Sequence, residues 1–216
     1  PTPQPPIPLR LVGSEMCIRD RLINGLKRKE KNYKNDIDKK QKLSNQLNKE
    51  IEKLIKEAIK ESNKNSTKNV FTLTPEAKLT AKNFLSNKGN LPWPVERGVI
   101  IQKFGLQPHP VVRTTKIQSN GIVIATTKNA SVRSVFNGVV LSVLKFKSSN
   151  LTVLIQHGNY ITAYKNLARV FVEKGLKVSS LESIGITFDN DESKTTLQFS
   201  IFENTKALDP YLWIAK

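Results

Sequence analysis

The hydrophobic pattern of the chain changes once, from a helical period to the alternation that is typical of strands. Residues 22–65 contain no proline, and apolar residues recur there at the a and d positions of a heptad. Glu30, Lys40 and Ser44 interrupt this seam, so the pattern predicts an imperfect coiled-coil helix. Because a helix this polar is not stable alone, we expect a partner helix, from an N-terminal arm missing here or from another chain. The seam consists of Ile23, Leu26, Tyr33, Ile37, Leu47, Ile51, Leu54 and Ala58.

A linker with one short helix follows, over residues 66–90. Thr74 is a good N-cap and Pro75 suits the first helical position, so a helix is predicted from there to about Leu85. The segment 91–95, Leu-Pro-Trp-Pro-Val, is extended, and its two prolines exclude it from a central strand. We therefore expect a second domain to begin at residue 91 and to extend to residue 216.

Almost every segment after Arg97 has the pattern of a short β-strand. Short strands, frequent turns and little helical periodicity predict an antiparallel β-sheet sandwich or open barrel. The fold class is thus an N-terminal α-helical coiled-coil arm followed by a mainly β domain. The predicted strands are Gly98–Phe104, Lys116–Thr126, Ala130–Lys147 with a turn at Asn137-Gly138, Leu151–Gln156, Tyr160–Lys165, Arg169–Val172, Leu181–Phe188 and Thr195–Phe202.

Two of these strands, Lys116–Thr126 and Thr195–Phe202, are interpreted as the floor of a groove. Side chains alternate between the two faces of a strand, which places Ser119, Gly121 and Val123 on one face. In the later strand the apolar set faces a core, and the polar set faces a neighbour or solvent. The apolar set is Leu197, Phe199 and Ile201, and the polar set is Thr196, Gln198 and Ser200.

The first 21 residues differ in composition from the chain that follows. They hold the single Met16 and the single Cys17, and their first ten residues are rich in proline. The run LVGSEMCIRDR resembles a translated sequencing-library linker, which predicts that residues 1–21 are a non-native leader and that the true N-terminus is missing. A natural disordered tail is the alternative, and both interpretations exclude the segment from fold reasoning.

The composition of the chain limits the classes of binding partner but does not select one of them. The 216 residues carry a formal net charge of +17, which favours attraction to a polyanion such as nucleic acid, an anionic membrane surface or an acidic cell-wall polymer. Nucleic-acid binding is the weakest of these hypotheses, because aromatic side chains are sparse on the predicted exposed strand faces. A single cysteine excludes an intrachain disulfide and a thiolate zinc knuckle.

The groove lacks the residues of a hydrolytic centre. A catalytic zinc needs about three imidazole, thiolate or carboxylate ligands, and no Asp or Glu lies on the predicted groove faces. The two histidines, His109 and His157, fall in predicted loops and are interpreted as surface residues. Ser119 and Ser200 have no adjacent base that could activate a hydroxyl. We therefore expect no catalytic residue, no metal ligand and no cofactor.

The order of short sequence words from residue 91 to residue 216 resembles the lysostaphin/LytM-type zinc peptidase domain. The words are LPWPV, RGVI, FG, HPV, SNGIVIAT, VRSVFNGVVLSV, LIQHGNYITAYKNL, KGLKV, IGITF, TLQFSIF and LDPYLWIAK. The resemblance implies the β fold of that family, of the duplicated-hybrid-motif kind. With the Lys-rich helix in front, the chain resembles EnvC-type murein hydrolase activators of Bacteroidetes-like bacteria.

The resemblance also implies that the family's active site has been replaced. Active members carry His-x-Gly-x-Asp on one strand, Tyr-x-His-Leu on a second and His-x-His on the last. Gly121, Tyr164 and Leu167 match these words. The metal and acid/base positions correspond instead to Ser119, Val123, Asn166, Thr196 and Gln198, and the acid that often follows the last word corresponds to Ser200.

The implied function is regulatory. EnvC-type proteins activate a separate peptidoglycan amidase by binding its autoinhibitory helix in the vacant groove. Their coiled coil couples to a membrane division complex. This implies a periplasmic or cell-envelope location, with a signal peptide lost by truncation. The expected groove residues are Ser119, Val123, Asn166, Thr196, Gln198 and Ser200, with Tyr164 as an aromatic wall. The alternative is a non-catalytic peptidoglycan-binding or scaffold protein.

Overall fold

The computed structural model describes residues 9–63, 70–109, 112, 114–145, 150–189 and 195–216, with side chains from residue 18 onwards. It contains the helices α1 (Leu9–Ser62) and α2 (Pro75–Ser86) and a short 3-10 helix, Pro210–Leu212. No described helix is both long and apolar enough to cross a membrane. The strands are β1 (Val99–Gln102), β2 (Gly105–Pro108), β3 (Lys116–Ser119), β4 (Ile122–Ala125), β5 (Ser131–Arg133), β6 (Gly138–Lys145), β7 (Leu151–His157), β8 (Tyr160–Val170), β9 (Lys177–Val178), β10 (Ser183–Thr187), β11 (Thr196–Glu203) and β12 (Lys206–Leu208).

The chain forms two compact units, and α1 contributes to both. The first unit contains the described residues among 9–44 and 108–117, and the second contains those among 45–107 and 118–216. Helix α1 begins at Leu9, within the segment that the sequence analysis set aside as a leader. In the first unit the seam side chains Ile23, Leu26 and Tyr33 are exposed. A coiled-coil partner for this part of the helix stays a prediction.

The last part of α1, residues 45–62, does not follow the predicted heptad seam. Its buried side chains recur every four residues, and they pack on the sheet of their own unit rather than on a partner helix. Leu54 and Ala58, which the heptad placed in the seam, are only partly buried. The sheet supplies the apolar cover that this helical stripe needs. The buried stripe consists of Leu47, Ile51, Ile55 and Ile59.

The predicted short helix and the extended segment 91–95 are confirmed. The Thr74 hydroxyl accepts a hydrogen bond from the Ala77 amide at 3.2 Å, which caps α2. The segment 91–95 contacts the last residues of the chain, because the Trp93 indole donates to the Ala215 carbonyl at 2.9 Å. Leu91 also forms a parallel bridge to Ile214. These contacts close the second unit by joining its early and late residues.

The strands form an antiparallel sheet, as predicted, in the order β1-β4-β11-β8-β7-β6-β9. Strand β12 extends it beside β11, β10 pairs with β8 and β5, and β2 and β3 form a separate two-stranded sheet. The single strand predicted over residues 116–126 is wrong, because β3 and β4 are separate strands in different sheets. The strands predicted at 160–165 and 169–172 are one continuous strand, β8.

The inner face of this sheet carries the main core. Leu197, Phe199 and Ile201 alternate along β11 and are fully buried, which confirms the predicted apolar face. Helix α2 closes the core through Phe84, whose ring stacks on the His157 ring with a centroid distance of 4.9 Å. The core thus fixes β11 and its neighbours, and with them the positions of the candidate groove residues.

Candidate functional site

The two strands interpreted as a groove floor, represented by β4 and β11, are hydrogen-bonded neighbours. Val123 lies directly opposite Gln198, and Ala125 lies opposite Thr196. Directly opposite residues of an antiparallel pair share a face and have Cβ atoms about 5 Å apart. Val123, Thr196 and Gln198 are partly exposed, while the alternating residues of both strands are buried in the core. The structure therefore brings these three predicted residues together on one open polar surface, which we name the floor.

Asn166 joins the floor from the other side of β11. Its backbone has φ of 74°, a conformation that asparagine tolerates better than most residues. Its side-chain amide donates to the Thr196 carbonyl at 2.6 Å, and its amide oxygen accepts from Asn150 at 2.5 Å. Both ends of the side chain are thus held, which fixes Asn166 beside Thr196.

Ser119 ends β3, before the bend that separates β3 from β4. Its hydroxyl donates to the Gly121 carbonyl at 2.8 Å, which stabilises that bend. A Cβ on Gly121 would lie 2.2 Å from the Phe199 carbonyl oxygen and 2.3 Å from Ser200 Oγ. Gly121 therefore allows this bend to approach the β11 backbone closely, rather than making room for a ligand.

Two predicted groove residues lie where they cannot line an open surface. The Tyr164 side chain is on the core face, opposite Phe199, and its hydroxyl accepts a hydrogen bond from the Val135 amide at 2.9 Å. Burial raises the pKa of this phenol. Ser200 is buried as well, beneath Gly121. The predictions that Tyr164 forms an aromatic wall and that Ser200 lines the groove are therefore wrong. Strand alternation puts Tyr164 on the core face, and the bend at Gly121 covers Ser200.

Sequence reasoning missed Lys165, which lies opposite Gln198 on β8. This lysine is buried, and its Nζ donates to the Asn48 side-chain oxygen of α1 at 2.6 Å. Burial lowers its pKa to about 8. The sequence signal was present but weak: Lys165 is flanked by Tyr164 and Asn166, and strand alternation puts it on the face of Gln198.

Helix α1 covers the part of this face that adjoins the floor. Ile51, Ile55 and Ile59 belong to one buried cluster with the β8 side chains Ile161 and Ala163. Leu154 and Phe202, on the strands that flank β8, belong to the same cluster. The floor is therefore bounded on one side by the end of this helix segment, at Asn48.

The two histidines lie outside β4, β8 and β11, the strands that build the floor. His157, interpreted as a surface residue, is fully buried at the end of β7, so that interpretation is wrong. Both of its ring nitrogens are engaged, Nδ1 with the Asn137 carbonyl at 2.7 Å and Nε2 with the Thr162 hydroxyl at 2.9 Å. Burial lowers its pKa to about 4, so it is neutral at pH 7. His157 is a core residue, and the glycine at position 158 that follows it lets α2 pack closely.

The donor set of the floor does not fit a zinc ion. Within the described residues no group of three or more His, Cys, Asp and Glu side chains is placed to hold a metal. The residues that the floor offers are a valine, a threonine, a glutamine and an asparagine, whereas zinc sites use imidazole, thiolate and carboxylate. The floor therefore does not supply the ligands of a catalytic zinc.

Comparison with known proteins identifies the fold of this region. Residues 117–210 match the family model of Peptidase family M23. A comparison with curated proteins gives no match.

Three solved structures are similar to the chain, each over 60% of its length. A chain of the SpoIIQ-SpoIIIAH pore-forming complex is 24% identical, with a TM-score of 0.50 over 93% of that chain. A zinc-containing peptidase from Vibrio cholerae is also 24% identical, with a TM-score of 0.50, and the match spans 41% of it. Csd3 from Helicobacter pylori is 20% identical, with a TM-score of 0.51 over 36% of its length.

At these identities the structural comparisons show the fold alone, and the matches span well under half of the Vibrio and Helicobacter proteins. The family match adds the sequence link, and it covers β4, β8 and β11, the strands that build the floor. Residues 117–210 of this chain thus match the model of Peptidase family M23, and the solved structures show the same fold.

Proposed function

We propose that the chain is a catalytically inactive LytM-type protein that regulates peptidoglycan remodelling by activating a cell-wall amidase. The observation that carries this proposal is the pairing of Val123 with Gln198 on neighbouring strands. By the motif resemblance described above, these two positions correspond to two zinc ligands of active family members. In this chain they are a valine and a glutamine. The motif resemblance requires the two positions to lie on neighbouring strands, as they do. The substitutions leave a surface that can bind a partner but has no ligands for a catalytic zinc.

The floor suits a polypeptide segment better than a small molecule. Thr196 and Gln198 offer neutral hydrogen-bonding groups, Val123 offers an apolar contact, and Asn166 is held in place beside Thr196. A partly apolar groove with a few fixed polar groups is a common site for an amphipathic helix of a partner. The segment we propose is the autoinhibitory helix of the amidase, whose removal from the amidase active site would switch the enzyme on.

The N-terminal helix and the compartment complete the proposal. Exposed apolar side chains such as Leu26 and Tyr33 in the first unit suit a coiled-coil partner helix. In the proposed function this arm couples the protein to a membrane division complex in the periplasm or cell envelope. These statements rest on the resemblance to EnvC-type activators, and the domain limits 22–65, 66–90 and 91–216 belong to the same proposal.

A non-catalytic peptidoglycan-binding or scaffold protein is the second candidate. The net charge of +17 favours it, because cell-wall polymers and lipid headgroups are frequently anionic. In that case the floor would hold part of the wall and would activate nothing. Retention of the chain on purified sacculi, without stimulation of any amidase, would select this candidate.

The deciding experiment measures peptidoglycan release by a purified cognate amidase with and without this chain. We expect stimulation by the wild type and roughly fivefold weaker stimulation by Gln198→Ala, since one hydrogen bond is worth about 1 kcal/mol. Gln156→Ala is the matched control, because Gln156 is a partly buried glutamine outside the floor. Equal stimulation by both variants would contradict binding at the floor, and chelator-sensitive cleavage by the chain alone would contradict inactivity.

A further inference from the structure

One row of side chains crosses four strands from the open floor to the part of the sheet that α1 covers. In register it contains Val123 on β4, Gln198 on β11, Lys165 on β8 and Thr152 on β7. Register partners share a face, so all four side chains are on the outer face of the sheet. The first two are partly exposed and the last two are buried, so the row passes from solvent into the covered region.

Lys165 is the charged member of this row, and its charge is not balanced. Its side chain is 5% exposed, and the one acceptor it meets among the described residues is the neutral Asn48 amide oxygen. An ammonium group has three hydrogen-bond donors and is strongly hydrated in water. One neutral acceptor does not replace the hydration that Lys165 loses on burial. Burial lowers the pKa of Lys165, and no carboxylate of the described residues counteracts this shift.

The neighbours of Lys165 in the row also have unused hydrogen-bonding capacity. Thr152 is 1% exposed, and its hydroxyl has no hydrogen-bond partner among the described residues. Buried polar groups without a partner are rare and point to a missing group. The partly exposed Gln198 amide makes no hydrogen bond to the described part of the chain, so it is available to a ligand. The row therefore lacks an acceptor with negative charge at the edge of the floor.

We propose that Lys165 is the charged anchor of the floor and that it takes the carboxylate of an Asp or Glu side chain of the bound polypeptide segment. This rests on the proposed function, and it names the chemistry of the partner. One carboxylate oxygen would accept from Lys165, and the other could accept from the Gln198 amide beside it. A charged pair of this kind makes shorter and stronger hydrogen bonds than a neutral pair, whereas a neutral or basic group would leave the ammonium unbalanced.

The test follows the Lys165 ammonium by NMR in the full chain, with acetate as the probe for a carboxylate. We expect acetate to raise the pKa of Lys165 by about one unit or more, and to shift the Gln198 side-chain amide resonance, because an opposite charge at 4–6 Å favours the ammonium form. Chloride at the same ionic strength should do neither. Equal effects of the two salts, or no effect of acetate, would overturn the proposal.

A pair of small probes identifies the source of the carboxylate. N-acetyl-glutamate α-amide presents a side-chain carboxylate, and N-acetyl-D-alanyl-D-alanine presents the terminal carboxylate of a peptide. We expect the first to raise the Lys165 pKa at a lower concentration than the second. The reverse order would overturn a polypeptide side chain as the ligand.

The variant Lys165→Met separates this proposal from the proposed function. It should abolish the acetate response and weaken amidase stimulation at least tenfold, while Lys177→Met, an exposed lysine on β9, should change neither. Full stimulation by Lys165→Met would overturn the anchor while leaving amidase activation intact. Absence of stimulation by the wild type would instead reject the proposed function, and the acetate response would still decide whether Lys165 binds a carboxylate.

Discussion

The outer face of β8 and β11 is divided into two regions that differ sharply although they share the same strands. In one region Ile161, Ala163 and Phe202 lie under the isoleucines of α1 and exclude water. In the other, Thr196 and Gln198 form a polar and partly exposed floor. Along β11, one residue, Phe199, separates Gln198 from Ser200, which is already buried. The same strand pattern thus serves packing at one end and a candidate binding surface at the other.

The difference shows which physical term governs each region. The covered region is stabilised by burial of large apolar side chains, at roughly 25 cal/mol for each Å² removed from water. The floor contributes little to that burial, so its residues can change with less effect on folding. Lys165 lies at the boundary, where a charged group is held under the end of the helix segment by one hydrogen bond to Asn48. This boundary is where changes should be informative.

The covered region can be disrupted directly with Ile55→Ala. Ile55 is fully buried in the cluster between α1 and the sheet, so its truncation should lower the free energy of unfolding by about 3–4 kcal/mol through lost transfer energy and a cavity. Urea denaturation followed by circular dichroism measures this change. It is the largest effect that we expect.

Leu26→Ala is the matched control on the same helix, because Leu26 is 65% exposed. It should change the free energy of unfolding by no more than about 0.5 kcal/mol, as surface substitutions do. If Ile55→Ala were as mild as Leu26→Ala, the helix segment 45–62 would not be packed on the sheet, and the distinction between the two regions would fail.

A smaller effect at the boundary depends on pH. The pKa of Lys165 is about 8 in the folded chain and near 10.5 when the side chain is in water, so the unfolded state binds more protons between these values. Stability should therefore rise with pH through this window, by up to about 3 kcal/mol, and the full penalty should be present below pH 8. Lys165→Met should remove this dependence.

The measurement is the free energy of urea unfolding at pH 7 and at pH 10, for the wild type and for Lys165→Met. The difference in the free energy of unfolding, Lys165→Met minus wild type, should be about 2–3 kcal/mol larger at pH 7 than at pH 10. The loss of the hydrogen bond to Asn48 is common to both pH values and cancels in this difference. Lys177→Met should show no such difference, and an equal result for the two variants would mean that Lys165 is not desolvated.

Local chemistry was enough to predict some of these features from the sequence. The alternation of Leu197 and Phe199 with Thr196 and Gln198 defines the two faces of β11, and the Thr74 cap with Pro75 defines the start of α2. Each depends on residues adjacent in sequence, so no tertiary information is needed.

Other features depend on contacts that the sequence pattern does not contain. The heptad assignment placed Leu54 in a seam, but the sheet under α1 selects Ile55 instead, because the neighbour of a helix decides which stripe is buried. The bend at Gly121 arises from close approach to β11, residues far away in sequence. The sequence alone suggests that Lys165 is an exposed lysine, whereas in the structure Asn48 of α1 covers it.

The floor itself can be tested by restoring ligands with Ser119→His, Val123→Asp and Gln198→His in one variant. Val123 and Gln198 are directly opposite on β4 and β11, so an aspartate and a histidine there can approach one zinc ion at about 2 Å each. At a free zinc concentration of ten times Kd, binding should stabilise the variant by about 1.4 kcal/mol. Thermal unfolding with zinc and with a chelator measures this gain.

The result depends on Ser119, whose hydroxyl is bonded to the Gly121 carbonyl at the bend before β4. The double variant Val123→Asp with Gln198→His provides two ligands and should bind zinc at least tenfold more weakly than the triple variant, because hydrolytic zinc sites use three protein ligands. Equal affinity would place Ser119 outside the site and limit the floor to β4, β8 and β11. No zinc binding by either variant would mean that the opposing pair is not a former metal site, and the open region would then be an ordinary polar strand surface beside the helix.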